Sequence, residues 1–364
     1  MARTAGSSAR EGMKAFLATR DDLDGRFIDG AVLCHDLRAA DGALRYRKGR
    51  ILRADDAPRV AALAWDELHL VRMDEGDVHE DEAGERLARA AAGPGVRIGA
   101  ASAGHWPLMA ETRGIADVAA AALDRVNAVE GLCVYTLFSG HVVDAGEVVA
   151  RTKITPFVMR GAAVGAAESL AYAAGGLVGV RPFVPTRVAA VVQEALAAQG
   201  LERFERALCE KVRWFGSDLL PPRVAEPDAV AIADAIDEQL ALEARLVVVA
   251  GSKAMDELDP TFRALDKLGA RRERRGVPAH PGSLFWLARL GDAAIVGMPT
   301  CGLFSQATVF DLVLPRVLAG ERVDARALAE LGHGGLLTRD VAFRFPPYRP
   351  SRQRGALDSV EDDA

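Results

Sequence analysis

The chain has 364 residues and a mass of 38.7 kDa, a length typical of two or three domains. Half of its residues are hydrophobic and 26% are charged, a composition that excludes a disordered chain and a coiled-coil rod. The 45 Lys and Arg residues and 51 Asp and Glu residues give a net charge of −6. This charge argues against a nucleic-acid partner, because nucleic-acid-binding proteins usually carry a basic domain or stripe.

Cysteine spacing and hydropathy predict a soluble cytoplasmic protein without a membrane segment. The cysteines are Cys34, Cys133, Cys209 and Cys301. None forms a Cys-x-x-Cys pair with another, which argues against a zinc ribbon or a disulfide framework and favours reduced thiols. The first twenty residues contain no apolar run, so we expect no secretory signal. Residues 161–180 consist mostly of Ala and Gly and include Glu168, so they are too weakly apolar to predict a transmembrane helix.

The N-terminal half is predicted to form an accessory region. Residues 1–24 are expected to be a flexible tail, 25–95 a β-rich accessory domain and 96–175 an α+β accessory domain. Short apolar runs around Asp-Gly and Lys-Gly turns indicate tight β connections in the first of these domains. In the second, apolar residues at helical spacing predict a helix from Ile115 to Val129.

Residues 176–322 show a different pattern, in which short apolar strands alternate with helices. The predicted strands are Leu177–Val180, Leu246–Ala250, and the hairpin pair Leu284–Leu290 and Ala293–Met298. The predicted helices run from about Val188 to Gly200, from Asp228 to Leu242, from an Asp259-Pro260 start to Gly269, and from Ser305 to Leu318. This alternation predicts an α/β domain with a mostly parallel sheet and helices on both faces. Residues 323–364 are expected to be a C-terminal extension.

Three loops follow predicted strands, namely 182–186, 251–256 and 297–302. In an open α/β sheet, ligands gather at the carboxyl ends of the strands, where helix N-termini offer free N–H groups to anions. These loops supply glycines, hydroxyls including Thr186, the ammonium of Lys253 and the carboxylates of Asp256 and Asp259. Such a set suits a phosphorylated ligand, with a carboxylate for Mg²⁺ or a polar heterocycle.

Each of these residues also has a purely structural interpretation. Asp259, followed by Pro260, fits a helix cap better than a ligand contact. Lys253 on a surface loop could simply be solvated, whereas Asp256 has no capping role and is the stronger candidate. Further along, four arginines within 271–275 could bind phosphate, but a charged, solvent-facing strand edge explains them better.

Several segments together resemble the molybdopterin-binding family, which includes molybdopterin molybdenumtransferase and molybdopterin adenylyltransferase. Residues 276–282 (Gly-Val-Pro-Ala-His-Pro-Gly), the hairpin around Gly291-Asp292, and residues 294–299 (Ala-Ile-Val-Gly-Met-Pro) are similar to the substrate-side segment of that family. Residues 250–260 resemble its glycine-rich loop and the acidic residues that follow. Residues 30–52 and 150–157 resemble its accessory region.

The resemblance implies a fold, a ligand and a site. The implied ligand is molybdopterin, a pterin phosphate, with Mg²⁺, ATP and molybdate as candidate co-substrates or ions. The implied substrate-binding residues, together with those of the strand-end loops, are Thr186, Gly251, Ser252, Lys253, Asp259, His280, Pro281, Gly282, Ser283, Pro299, Thr300, Cys301 and Gly302. Asp256 would be the catalytic and metal-holding carboxylate. Related proteins are often dimers, so a homodimer and contacts with other molybdenum-cofactor proteins are further implications.

The sequence departs from the family where the chemistry is concentrated. The metal-inserting members carry lysines on either side of Pro-Gly, whereas this chain has His280 and Ser283 there. Two lost cations would cost an oxyanion site several kcal/mol on an order-of-magnitude basis. Two hypotheses therefore remain. The chain is a transferase that acts on molybdopterin or its adenylate, or it is a non-catalytic carrier or sensor of molybdopterin or the finished cofactor.

Overall fold

Two units make up the computed structural model, which describes residues 14–102, 104–193, 198–251, 255–298 and 308–348. The first unit lies within Met1–Thr112, Asp117–Leu137 and Asp144–Val180. The second lies within Arg113–Ala116, Phe138–Val143 and Arg181–Ala364. No helix among the described residues is both long and apolar enough to cross a bilayer.

Short strands and helices alternate up to residue 182. The strands are β1 (Lys14–Ala18), β2 (Ala31–Leu33), β3 (Leu37–Arg38), β4 (Leu44–Tyr46), β5 (Leu68–Arg72), β6 (Asp77–His79), β7 (Val96–Ile98), β8 (His105–Ala110), β9 (Gly114–Val118), β10 (Leu132–Thr136), β11 (Val142–Val143), β12 (Val148–Ile154), β13 (Val158–Arg160) and β14 (Val178–Pro182). The helices are α1 (Gly25–Ile28), α2 (Ala57–Ala61), α3 (Glu80–Ala91), α4 (Ala120–Asn127) and α5 (Gly161–Ala173).

The first unit contains small antiparallel sheets, as the sequence predicts for the accessory region. Strands β1, β5 and β2 form one sheet, and β10, β12, β8 and β7 form another. Helix α3 packs against α5. Arg86 of α3 donates to Glu168 of α5, with Nη2 and Oε2 2.7 Å apart, and this hydrogen bond holds the pKa of Glu168 below its usual value.

The predicted helix from Ile115 to Val129 is wrong in its first part. The structure has strand β9 up to Val118 and helix α4 only from Ala120 to Asn127. In β9, Ile115 pairs with Val142 of β11, and Ile115 is fully buried. Strand pairing and burial therefore override the helical spacing of the apolar residues.

Larger elements follow residue 182. The strands are β15 (Arg187–Val192), β16 (Asp218–Leu219), β17 (Arg223–Val224), β18 (Leu246–Ala250), β19 (Arg271–Arg275), β20 (Trp286–Leu290) and β21 (Ala293–Met298). The helices are α6 (Ala198–Trp214), α7 (Ala229–Ala241), α8 (Pro260–Lys267), α9 (Val309–Leu318) and α10 (Ala325–Ala329).

The strands from β15 onward form a mostly parallel sheet in the order β16-β15-β18-β21-β20-β19, with β17 beside the end of β15. Strands β15, β18 and β21 are parallel and in register, while β20 and β19 are antiparallel to their neighbours. Alternate residues of the central strands point into two cores. Val188, Val248 and Val296 pack with α6 and α9 on one face, and Val191, Val249 and Ile295 pack with α7 and α8 on the other. The predicted α/β architecture is therefore confirmed.

Residues 187–192 form strand β15, so the predicted helix over 188–200 is wrong in this part. Every residue of β15 from Val188 to Val192 is buried, because the strand lies inside the sheet with a core on each side. A continuous apolar run fits a helical and a strand period equally, and the valines favour the strand. Gly200 does not end a helix but lies in the first turn of α6, a helix that the sequence analysis did not predict.

Candidate functional site

The carboxyl ends of three parallel strands meet at one edge of the large sheet. Val192 of β15 lies beside Ala250 of β18, and Ala250 lies beside Met298 of β21. Because the strands are in register, β18 and β21 end side by side at Ala250 and Met298. The predicted loop 251–256 thus starts at this edge, whereas Gly297 and Met298, which were predicted to open the loop 297–302, are the last residues of β21.

Helices begin at this same edge. Helix α7 follows β17, and its cap Asp228 accepts hydrogen bonds from the N–H groups of Val230 and Ala231. Helices α8 and α9 follow β18 and β21, with Asp259 and Thr308 as their N-caps. The positive ends of helix dipoles attract anions, and at α7 and α8 the carboxylates of Asp228 and Asp259 already accept hydrogen bonds from part of the free N–H groups.

Gln193 connects two of these elements and was not among the residues predicted from the sequence. Its backbone N–H donates to Ala250 O at 3.1 Å, and its side-chain Oε1 accepts from Thr261 Oγ1 at 2.9 Å. Both side chains are buried. The bond fixes the start of α8 against the end of β15. The available signal was a polar residue, Gln193, directly after the apolar run 188–192. Because that run was predicted to be a helix, Gln193 was not recognised as the end of a strand.

The two aspartates of the acidic loop after β18 have different environments. Asp259 is buried and its Oδ1 accepts from Thr261 N at 2.8 Å, so its predicted capping geometry is present. Asp256 is exposed, and one of its oxygens accepts from Leu258 N at 2.9 Å. Gly251 opens the loop with φ of +94°, a conformation that favours glycine. Ser252 and Lys253 lie outside the described residues.

The segment His280–Ser283 leads back toward the same edge. Strand β20 starts opposite the end of β21, since Trp286 pairs with Gly297. Pro281 O accepts from Val309 N at 3.1 Å, which joins this segment to the start of α9.

Gly282 has φ of +114°, and a Cβ there would lie 2.8 Å from Val309 N. Only glycine fits at this contact. The structure therefore gives Gly282 a packing role beside a helix N-terminus.

His280 and Ser283 are exposed, and their backbones hold this segment in place. His280 N donates to Gly335 O and His280 O accepts from Leu337 N, each at 2.8 Å. Ser283 O accepts from Val277 N at 3.0 Å. Their side chains are thus available to solvent.

Thr186 lies at the opposite end of the sheet from Gly251. It directly precedes β15, which runs parallel to β18, so it is at the amino end of the strands. The expectation that its loop shares an edge with the other two is therefore wrong. The strand before that loop, β14, is outside the large sheet. Pro299, Thr300, Cys301 and Gly302 lie outside the described residues.

The arginines of 271–275 form the edge strand β19, as predicted, and have acidic or carbonyl partners. Arg272 and Arg275 both pair with Glu257, at 2.9 and 2.6 Å. Arg274 donates to Gly276 O, and Arg271 pairs with Glu273. These charges are compensated locally, which argues against a phosphate site on this strand.

Metal binding at this edge would depend on the ligand. Within the described residues, no group of three or more His, Cys, Asp and Glu side chains could hold a metal ion. Mg²⁺ often takes only one or two carboxylates and fills its other positions with water and substrate phosphates. Asp256, which has one oxygen hydrogen-bonded to Leu258 N, could contribute a single carboxylate oxygen to a Mg²⁺ ion that a substrate phosphate also holds.

Solved structures to which this chain is similar include two proteins of molybdenum cofactor biosynthesis. One is the molybdopterin biosynthesis protein MoeA of Pyrococcus horikosii, with 16% identity and a TM-score of 0.30 over 69% of this chain and 80% of that chain. Another is a molybdenum cofactor biosynthesis protein B, with 13% identity and a TM-score of 0.28 over 37% of this chain and 92% of that chain. No family model and no curated protein matches the sequence.

Proposed function

We propose that this chain binds a phosphorylated pterin, molybdopterin or its adenylate, and acts in molybdenum cofactor biosynthesis. The observation that carries the proposal is the meeting of strand ends and helix starts at one edge of the large sheet, where Val192, Ala250 and Met298 lie side by side. The resemblance of residues 250–260 and 276–299 to the molybdopterin-binding family supplies the identity of the ligand.

The loop after β18 is the proposed phosphate cradle. Gly251 has no Cβ and a left-handed φ, which lets backbone N–H groups approach a phosphate closely. In this proposal Ser252, Lys253 and Thr300 add a hydroxyl, a cation and a second hydroxyl. Pro281 and Gly282 shape the opposite wall beside the start of α9.

The binding of a pterin phosphate is better supported than its chemical conversion. Asp256 is the proposed catalytic carboxylate, and it is exposed at the correct loop with one oxygen left for Mg²⁺ or substrate. However, His280 and Ser283 stand where metal-inserting family members carry lysines. A carrier or sensor of the cofactor is therefore the second candidate function.

A matched pair of glycine variants tests the binding site. Gly251→Ala and Gly269→Ala each place a Cβ at positive φ, at the start and at the end of the α8 segment. Each is expected to cost about 1 kcal/mol of folding stability. Only Gly251→Ala is expected to weaken molybdopterin binding, by about tenfold, measured by pterin fluorescence. No binding by the wild-type protein, or equal affinity of both variants, would overturn the proposal.

A turnover assay separates the two candidate functions. The protein is incubated with molybdopterin, MgATP and molybdate, and the products are analysed for adenylate and for metallated pterin. A transferase forms product and loses it in Asp256→Asn, while Asp237→Asn, an exposed carboxylate on α7, retains it. Binding without product in the wild-type protein assigns the carrier or sensor role.

A further inference from the structure

A cavity lies at the opposite end of the large sheet from the proposed pterin site. Its volume is about 280 Å³, and it is lined by residues from the amino ends of β15, β18 and β21 and from the carboxyl end of α9. The polar lining residues are Thr186, Arg245, Arg289, Asp292, Glu321 and Arg322. Three arginines facing one small cavity form an unusual concentration of guanidinium groups.

Arg289 is the buried member of this set. Its side chain is only 9% exposed, and its Nη2 donates to Val323 O at 2.8 Å. Its Nε is buried without a hydrogen-bond partner among the described residues, and Glu273 Oε1 lies 3.8 Å from it. The Nε is thus enclosed beside the Glu273 carboxylate without a hydrogen bond to the described part of the chain, and only the terminal N–H groups of the guanidinium remain to meet a ligand in the cavity.

The acidic residues of the cavity do not compensate its arginines. Glu321 is engaged by Arg316 Nε at 3.0 Å and by Arg181 Nη2 at 2.8 Å. Asp292 lies 3.5 Å from Arg245, and both side chains are largely exposed, so this pair is weak. No ion pair of Arg322 is found in the part of the chain that the structure describes.

The electrostatic environment of Arg289 agrees with a missing anion. Burial, and next the charge of Arg322, lower the pKa of Arg289 from its ordinary value. A guanidinium that is both desolvated and close to another cation gains most from a bound anion, because charge-assisted hydrogen bonds are strong in a low-dielectric site.

We infer that this cavity binds the phosphate group of a small metabolite. The guanidinium of Arg289 donates to one phosphate oxygen through its terminal N–H groups, and Arg245 and Arg322 neutralise the remaining charge. A volume of about 280 Å³ lies at the lower bound for ligand pockets, which favours a small phosphate monoester over a nucleotide. The inference does not depend on the proposed pterin site, which lies at the other edge of the sheet.

The test is a titration with inorganic phosphate, followed by the ¹H–¹⁵N signals of arginine Nε–H groups. The Arg289 signal is assigned by its loss in Arg289→Lys. We expect it to shift saturably with phosphate, while sodium chloride at the same ionic strength produces no comparable shift. Arg322→Gln should weaken phosphate affinity by about tenfold. The control Arg326→Gln removes an exposed arginine outside the cavity lining and should change affinity by less than about twofold.

Three results would overturn the inference. They are an Arg289 signal that does not move, a shift that chloride reproduces, and an affinity that Arg322→Gln leaves unchanged. If Arg289→Lys does not fold, Arg289 is identified by residue-specific assignment instead, and the exposed Arg245→Gln serves as the second affinity variant. Gly251→Ala should leave this titration unaltered, which separates this cavity from the proposed pterin site.

Discussion

The indole ring of Trp286 covers Gly297 across the β20–β21 pair. The two residues are directly opposite in the antiparallel register, and a Cβ on Gly297 would lie 1.9 Å from Cε2 of the ring. Trp286 is almost fully buried. Although the sequence placed Gly297 in a ligand-binding loop, the structure places it inside a strand, where the tryptophan excludes any side chain.

Gly297→Ala should therefore destabilise the protein. The added methyl forces the indole or the strand to move, and overpacking of this kind costs about 1–3 kcal/mol. The free energy of unfolding in urea measures the effect. Gly84→Ala is a parallel case, because a Cβ there would lie 2.1 Å from Cζ3 of Trp106. An unchanged free energy in both variants would contradict the packing described.

Gly165→Ala should have the opposite effect. Gly165 lies inside helix α5, and the nearest atom to its added Cβ is Arg86 Nη2 at 3.9 Å. There is room for the methyl group, and alanine is favoured over glycine in a helix by about 1 kcal/mol. Urea unfolding should show a gain of that size, and a loss of stability would indicate that α5 is not helical at this position.

Lys211 and Asp311 form a buried ion pair beside the start of α9. Lys211 Nζ lies 2.6 Å from Asp311 Oδ1, and the side chains are 6% and 0% exposed. Asp311 Oδ2 also accepts from Thr308 N and Oγ1. Lys211→Met leaves the carboxylate buried without its cation, and we expect a loss of about 3–5 kcal/mol.

The exposed pair Arg206–Glu202 on α6 is the matched control for this variant. Arg206→Met should change the free energy of unfolding by no more than about 1 kcal/mol, because exposed ion pairs contribute little. Similar losses in the free energy of unfolding for Lys211→Met and Arg206→Met would contradict this expectation, because the buried pair would then contribute no more than the exposed one.

Glu321 should make stability depend on acidic pH. Burial alone raises the pKa of Glu321, but hydrogen bonds and charges from Arg316 and Arg181 outweigh burial and hold the pKa below its ordinary value of 4.5. A lowered pKa in the folded state gives stability that is present above pH 4.5 and is lost as the pH falls through the folded value. Unfolding measured across this range should show a steeper loss for the wild-type protein than for Glu321→Gln, and parallel curves would refute the assignment.

Elements with clear boundary signals were predictable from the sequence. Strand β18 has the predicted bounds Leu246–Ala250, α7 begins after its cap Asp228, and the hairpin β20–β21 turns at Gly291-Asp292. Each has a cap or turn residue at its end, which fixes the local conformation without help from distant residues. Strand β15 lacks such a signal at its carboxyl end, and only its pairing with β18 decides its conformation.

The candidate site was predictable only in part, for a topological reason. The rule that ligands gather at the carboxyl ends of parallel strands placed loops 251–256 and 297–302 together, and the pairing of β18 with β21 agrees with it. Thr186 was misplaced because residues 188–192 were predicted to be helical, whereas they form β15 and put Thr186 at the amino end of the strands. Gln193 and the buried Nε of Arg289 depend on contacts with residues distant in the chain, which no local pattern records.

The charged strand β19 also has a consequence for how the protein behaves at high concentration. Among the described strands it forms one margin of the large sheet, and four of its five residues are arginines. A foreign chain that tried to extend the sheet would have to strip water from these guanidinium groups. The neutralising variants Arg271→Thr and Arg275→Thr should therefore promote fibril-like aggregation on prolonged storage. In the native strand the arginines oppose pairing with a further strand.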